Sequence, residues 1–88
     1  MAAKQNIIGA RVRFLRQEKE LSREALAAKC IAGWDISRGT LSKIEARLRR
    51  VNDAEVMLIA KVLKCSIADL YPREKTEELL AVARQGKE

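Results

Sequence analysis

The chain has 88 residues, a net charge of +6, two cysteines and no histidine. This length allows one compact core of short helices and excludes a catalytic domain joined to a regulatory one. No apolar run reaches the length of a membrane span and the first residues lack the hydrophobic segment of a signal peptide, so we expect a cytoplasmic protein that does not enter a membrane.

The sequence offers no metal-binding or catalytic pattern. Cys30 and Cys65 lack the C-x-x-C spacing of a zinc or redox site, and we expect both to be buried thiols. Histidines, paired acids in a plausible cleft and a glycine-rich phosphate loop are all missing. We therefore expect a protein that is not an enzyme and needs no metal or cofactor.

The positive charge is concentrated in the first part of the chain. Residues 1–64 carry fourteen basic and seven acidic residues, whereas residues 65–88 carry four and five. The electrostatic field of this positive charge favours polyanionic partners. Nucleic acid is the first candidate and an anionic membrane surface the second.

The predicted elements are all helices. Ile8, Val12 and Leu15 recur at helical spacing and predict an amphipathic first helix over residues 6–18. Four later helix starts share one pattern, in which Ser or Asn follows an apolar residue and a second apolar residue comes four positions later. These capping residues are Ser22, Ser37, Asn52 and Ser66.

The chain after Pro72 predicts a last helix over residues 77–83, and no segment alternates as a strand does. We therefore predict an all-α, compact bundle of five to six helices. A domain of residues 1–72 would be followed by a C-terminal helix or tail, residues 73–88.

Gly33 can end the second helix. The turn over residues 33–36 is so short that the next helix must cross the second at a steep angle, as in a helix-turn-helix pair.

Three segments resemble the Cro/C1 (XRE) type of helix-turn-helix regulators over about Ile8 to Tyr71. They are LSREALAAK, ISRGTLSKIE and LIAKVLKCSIADLY. The resemblance implies a lambda-repressor-like fold that binds a double-stranded DNA operator, with the helix that starts at Ser37 in the major groove. The spacing of apolar residues agrees with this placement of the helix. Leu41, Ile44 and Leu48 share one face that should point inward, which leaves positions 38, 39, 42, 43 and 46 facing outward.

The resemblance, together with the run of basic residues that ends at Arg50, leads us to expect two sets of DNA contacts. The residues expected to contact base edges are Arg38, Gly39, Ser42 and Lys43. The residues expected to contact phosphates are Arg23, Ser37, Thr40, Arg47, Arg49 and Arg50. Arg23 stands where family members typically have glutamine, and the family's buried ion pair falls on Arg16 and Glu45.

Two features depart from the family pattern. The chain is four residues longer between Lys29 and Ser37, which extends the second helix through Ile31 and Ala32 or enlarges the turn; we favour the longer helix. The glycine that usually ends the recognition helix is replaced by Arg47. Because arginine resists the left-handed conformation, we expect that helix to continue toward Leu48.

Several alternatives stay open from the sequence alone. Gly39 either lets the helix approach the groove floor or is merely tolerated near a helix start. Trp34 either plugs the turn or serves as a stacking platform, and we favour the plug. Leu79, Leu80 and Val82 either fold back or form a two-fold interface, and we favour a homodimer on a palindromic operator. The preferred function is a small transcriptional regulator, with repression favoured over activation; the alternative is an antitoxin-like or adaptor protein that binds a protein partner.

Overall fold

The computed structural model describes residues 4–29, 34, 36–73 and 75–85. Within these residues every regular element is a helix, which confirms the predicted all-α fold. The elements are α1 Gly9–Glu18, α2 Arg23–Ala28, α3 Arg38–Glu45, α4 Asp53–Leu63, a 3₁₀ helix Ile67–Leu70, and α5 Thr76–Gln85.

All four predicted helix starts are confirmed. Each capping side chain accepts a hydrogen bond from the backbone N–H three residues later, which satisfies one of the donors that a helix leaves unpaired. Asn52 and Ser66 also form reciprocal capping boxes, in which the carboxylates of Glu55 and Asp69 accept from the capping residue's own N–H.

One apolar core holds the bundle together. α1 and α2 pack against α3, while α4 packs against α1 and the 3₁₀ helix. Trp34 is half-buried against this core, whereas its neighbours Gly33 and Asp35 in the turn lie outside the described residues. The buried apolar residues are Ile8, Val12, Leu15, Leu26, Ile36, Leu41, Ile44, Val56, Ile59, Ala60, Leu63 and Leu70.

Three helices end with the same backbone turn. After α1, α3 and α4 the chain passes through a left-handed residue, with φ of 56° at Glu20, 64° at Arg47 and 55° at Lys64. In each case the next residue's N–H bonds to a carbonyl five positions back, as in a Schellman motif. Glycine usually occupies this position because other side chains are strained there.

One prediction, the continuation of α3 toward Leu48, is wrong. The helix does not continue toward Leu48: it ends at Glu45, and Leu48 is 52% exposed rather than turned inward. The Leu48 N–H reaches back to the Lys43 carbonyl, and the reversed chain turns the Leu48 side chain away from the core. Arg47 tolerates the left-handed conformation because its Nε donates to the Asn6 carbonyl at 2.7 Å.

The other boundaries shift by a few residues. α1 begins at Gly9 rather than at residue 6, since the Asn6 side-chain oxygen accepts from the N–H groups of Ile8 and Gly9 ahead of the helix. α2 ends at Ala28, and residues 30–33 of the predicted extension, Cys30 among them, lie outside the described residues. Cys65 is half-buried, and burial raises the pKa of its thiol.

α5 lies loosely on the bundle. Its Val82 and Ala83 line an open cavity of about 170 Å³ together with Ile7, Val51 and Tyr71. Leu79 and Leu80 of the same helix remain exposed. None of the helices in the described part of the chain is both long and apolar enough to cross a membrane.

Candidate nucleic-acid interface

The outer face of α3 carries all four residues that we expect to contact bases. Arg38, Gly39, Ser42 and Lys43 are exposed, whereas Leu41, Ile44 and Glu45 are buried. α3 therefore presents a polar, basic face to solvent and anchors its apolar face in the core.

The start of α3 presents two hydroxyl groups. Ser37 Oγ accepts from the Thr40 N–H at 3.1 Å and lies 3.1 Å from Thr40 Oγ1. Ser37 is exposed and Thr40 half-buried. Because the N-terminal end of a helix carries partial positive charge, this arrangement suits a phosphate group, and the contact remains a prediction.

Arg38, the first residue of α3, has a highly accessible side chain. It is 64% exposed, and its Nε lies 3.5 Å from Glu24 Oε2, a carboxylate that is 69% exposed. An ion pair this long and this hydrated contributes little to stability. The guanidinium can thus leave Glu24 for a base edge at small cost.

Gly39 has open space where a side chain would begin. Among the described residues, the nearest atom to a Cβ added at this position would be Ser37 Oγ at 3.7 Å, an ordinary contact. The fold itself therefore does not demand glycine here.

Glu45 ties the interface to the rest of the bundle. Its carboxylate oxygens accept from Arg16 Nε at 2.7 Å and from Arg16 Nη2 at 3.1 Å, and the structure thus brings the expected pair together. The side chains of Glu45 and Arg16 are only 1% and 8% exposed. Arg16 Nη1 also donates to the Leu21 carbonyl at 2.6 Å, so the Arg16 guanidinium joins α1 both to α3 and to the chain just before α2.

Arg23 joins the same carboxylate, which the sequence did not indicate. Its Nε donates to Glu45 Oε1 at 3.1 Å, and the side chain is 30% exposed. The guanidinium expected to reach a phosphate is thus held at the junction of α2 and α3. A phosphate contact from its outer nitrogens stays a prediction.

Arg49 is similarly committed to a carboxylate. Its Nη1 and Nη2 donate to Glu55 at 3.1 and 2.9 Å. This hydrogen-bonded pair lowers the pKa of Glu55 and raises the pKa of Arg49, and the Trp34 side chain adds a smaller contribution at Glu55. Arg49 therefore organises the loop before α4, whether or not it also contacts DNA.

Arg50 is exposed, in contrast to Arg47 and Arg49, which are half-buried. Its carbonyl accepts from Arg49 Nη1 at 2.8 Å, which fixes the backbone of the loop while the Arg50 side chain faces outward. Of the three loop arginines, Arg50 is the one best placed for a phosphate contact.

The sequence reasoning missed Asn6 and Gly9. Asn6 is buried and bonds to the end of α3, and Gly9 packs directly on that end. An asparagine three residues ahead of a glycine, at the head of an amphipathic helix, was the available signal, since asparagine is a favoured capping residue.

Comparison with known proteins gives one match. A family model described as helix-turn-helix matches residues 12–70, from the first turn of α1 through the 3₁₀ helix. Asn6, Gly9 and α5 lie outside the matched segment. No curated protein and no solved structure matches the chain.

Proposed function

The chain belongs to the Cro/C1-type (XRE) helix-turn-helix family, a family of DNA-binding regulators, and on this basis we propose that it binds specific double-stranded DNA sequences as a small transcriptional regulator. α3 enters the major groove, where Arg38 and Lys43 read base edges beside Ser42 and Gly39. Occupation of an operator near a promoter would then repress transcription.

The observation that carries this proposal is the composition of the exposed face of α3. The face combines an exposed arginine, a lysine, a serine and a glycine, with the acidic residue of the helix, Glu45, buried. The planar fork of Arg38 matches the two acceptors on the major-groove edge of guanine. Ser37, Thr40 and Arg50 flank this face and supply phosphate contacts that fix its register.

Selection of bound sites from a random double-stranded DNA pool tests the proposal. We expect an enriched sequence with a preserved guanine, and an affinity that falls linearly with the logarithm of salt concentration. Equal affinity for selected and random DNA would contradict sequence-specific binding.

We also propose that the regulator acts as a homodimer on a palindromic site. One α3 covers few base pairs, and two copies related by a two-fold axis place their recognition helices about 34 Å apart, one turn of DNA. The exposed Leu79 and Leu80 of α5 are available for the contact. Light scattering with and without the selected DNA tests this state, and a monomer in both samples would refute it.

The same exposed leucines favour a second candidate function, an adaptor that holds a protein partner through residues 73–88. Deletion of these residues separates the two functions. Loss of partner capture with DNA binding intact would support the adaptor, whereas loss of dimerisation and of operator affinity would support the regulator.

A further inference from the structure

Two segments, one at the start of α1 and one directly after α3, are joined by several contacts. We name residues 5–9 the N-terminal brace and residues 46–50 the basic loop. The Gln5 N–H donates to the Arg47 carbonyl at 2.9 Å, and Arg47 Nε donates to the Asn6 carbonyl at 2.7 Å. This reciprocal pair fixes the left-handed residue that ends α3.

The Asn6 side chain makes the second part of this connection. Its Nδ2 donates to the Ile44 carbonyl at 3.2 Å and to the Arg49 carbonyl at 2.8 Å, so one amide group joins the last turn of α3 to the loop. Its Oδ1 accepts from the N–H groups of Ile8 and Gly9 at 3.1 and 2.8 Å. Asn6 is buried, and all of its amide donors and its acceptor are engaged with backbone.

Gly9 brings the brace into direct contact with α3. A Cβ at this position would overlap the Ile44 carbonyl and would lie 2.8 Å from Arg47 Cγ and 2.9 Å from the Glu45 carbonyl. Two of these neighbours are backbone atoms of α3 and cannot move aside alone. The glycine therefore permits the close approach that the Asn6 amide needs to reach both carbonyls.

We propose that Asn6 is a positioning residue for DNA binding, because the N-terminal brace sets the orientation of the basic loop toward the DNA backbone. This inference rests on the proposed function and adds a determinant outside the matched helix-turn-helix segment, residues 12–70. Arg49 and Arg50 contribute to binding only if the loop backbone holds them in register with successive phosphates. The Arg49 carbonyl, held by Asn6, lies between these two arginines along the chain.

The test uses two substitutions that keep the acceptor at the head of α1. Asn6→Ser and Asn6→Asp both leave an oxygen for the Ile8 and Gly9 N–H groups, and both remove the amide donors to α3 and to the loop. Ser66→Ala is the matched control, since it removes a helix-capping side chain at the 3₁₀ helix, which is not part of the brace or the loop. Affinity for the selected DNA is measured over a range of salt concentrations, at a temperature at which unfolding curves show each protein to be folded.

We expect the two Asn6 variants to bind roughly tenfold more weakly. The salt slope, which is the slope of the logarithm of affinity against the logarithm of salt concentration, should decrease by about one unit for each phosphate contact that is misplaced. Ser66→Ala should bind as the unmodified protein does. A purely structural role for Asn6 would lower the unfolding free energy and leave the affinity and salt slope of the folded protein unchanged. That result would overturn the proposal.

A measurement on the unmodified protein completes the test. If DNA binding and the brace stabilise each other, the Gln5 amide proton exchanges more slowly with solvent in the DNA complex than in the free protein. Unchanged exchange would overturn the brace proposal while leaving DNA binding itself intact. Absence of salt-dependent binding by the unmodified protein would instead refute the proposed function, and the brace proposal with it.

Discussion

Arg16 and Glu45 form an ion pair between the last turn of α1 and the last residue of α3, with Nε and Oε2 separated by 2.7 Å and both side chains withdrawn from water. Arg23 approaches the same carboxylate from the start of α2. One acidic side chain at the end of α3 thus contacts both α1 and α2. Its loss should affect the fold before it affects any DNA contact.

Glu45→Gln should lower the free energy of unfolding by about 3 to 5 kcal/mol, because it leaves the buried Arg16 charge without an opposite charge. Urea denaturation measures the change. The matched control is Arg23→Gln, which introduces the residue typical of the family and keeps the Arg16–Glu45 pair. With its side chain 30% exposed, Arg23 should contribute less than about 1 kcal/mol. Equal losses of unfolding free energy in the two variants would contradict the expectation that Glu45 contributes more to stability than Arg23.

Arg38→Ala should reduce discrimination at one base position by about 1 to 3 kcal/mol and leave the unfolding free energy nearly unchanged. Competition binding with single-base variants of the selected site measures the discrimination. Arg50→Ala is the comparison: it should weaken binding to all sequences alike and reduce the salt slope by about one. If Arg38→Ala also weakened specific and random DNA equally, Arg38 would be a phosphate contact.

Gly39→Ala should have opposite effects on stability and on binding. The added methyl group meets open space in the free protein and should stabilise α3 by about 0.5 kcal/mol through helix propensity. In the DNA complex the same methyl group would separate α3 from the groove floor and lower the affinity. Thermal unfolding and DNA titration of the same variant distinguish the two roles, and an unchanged affinity would mean that glycine is merely tolerated here.

Glycine at the left-handed helix ends should stabilise the protein. Glu20→Gly and Lys64→Gly each relieve a positive φ, and each should raise the free energy of unfolding by up to about 1 kcal/mol. Glu20→Ala keeps the strain and removes only the charged side chain, so it should not stabilise. A gain from Glu20→Ala as large as that from Glu20→Gly would point to the charge rather than to the backbone.

Glu55 should make stability sensitive to acid. The hydrogen bond from Arg49 lowers its pKa below the ordinary value of 4.5, so its ionised form stabilises the fold at neutral pH. This stabilisation is complete above the ordinary pKa and is lost as the pH falls through the lowered pKa of the folded state. The Glu55→Gln variant should therefore have a lower free energy of unfolding than the unmodified protein at neutral pH. This difference in unfolding free energy should become smaller below pH 4.5.

An Arg49→Met background provides the control for this pH dependence. Without the main hydrogen-bond donor, Glu55→Gln should change the acid side of the stability curve much less. A pH dependence that stayed the same in the Arg49→Met background would show that another group is responsible.

The sequence predicted what local chemistry determines. The starts of α2, α3 and α4 follow from a capping side chain and the N–H group three residues later, so Ser22, Ser37 and Asn52 could be identified without tertiary contacts. The buried Leu41 and Ile44 likewise follow from spacing along one helix.

The end of α3 could not be predicted in this way. Arg47 takes the left-handed conformation with support from Asn6, a residue 41 positions away, and the chain therefore turns before Leu48 can reach the core. The same limit applies to Arg23. The family resemblance suggested a phosphate contact for Arg23, whereas its partner, Glu45, is brought to it by the packing of α2 on α3.

The hydrogen bond from Gln5 to Arg47 also bears on how the protein should be produced for binding studies. A purification tag fused ahead of Met1 begins only a few residues along the chain from this bond, which joins the N-terminal brace to the loop that carries Arg50. A tag that strained this bond would loosen the loop, and affinities measured with the tag attached would then be too low. A cleavable tag, removed before titration, avoids this error, and comparison of the cleaved and uncleaved protein measures its size.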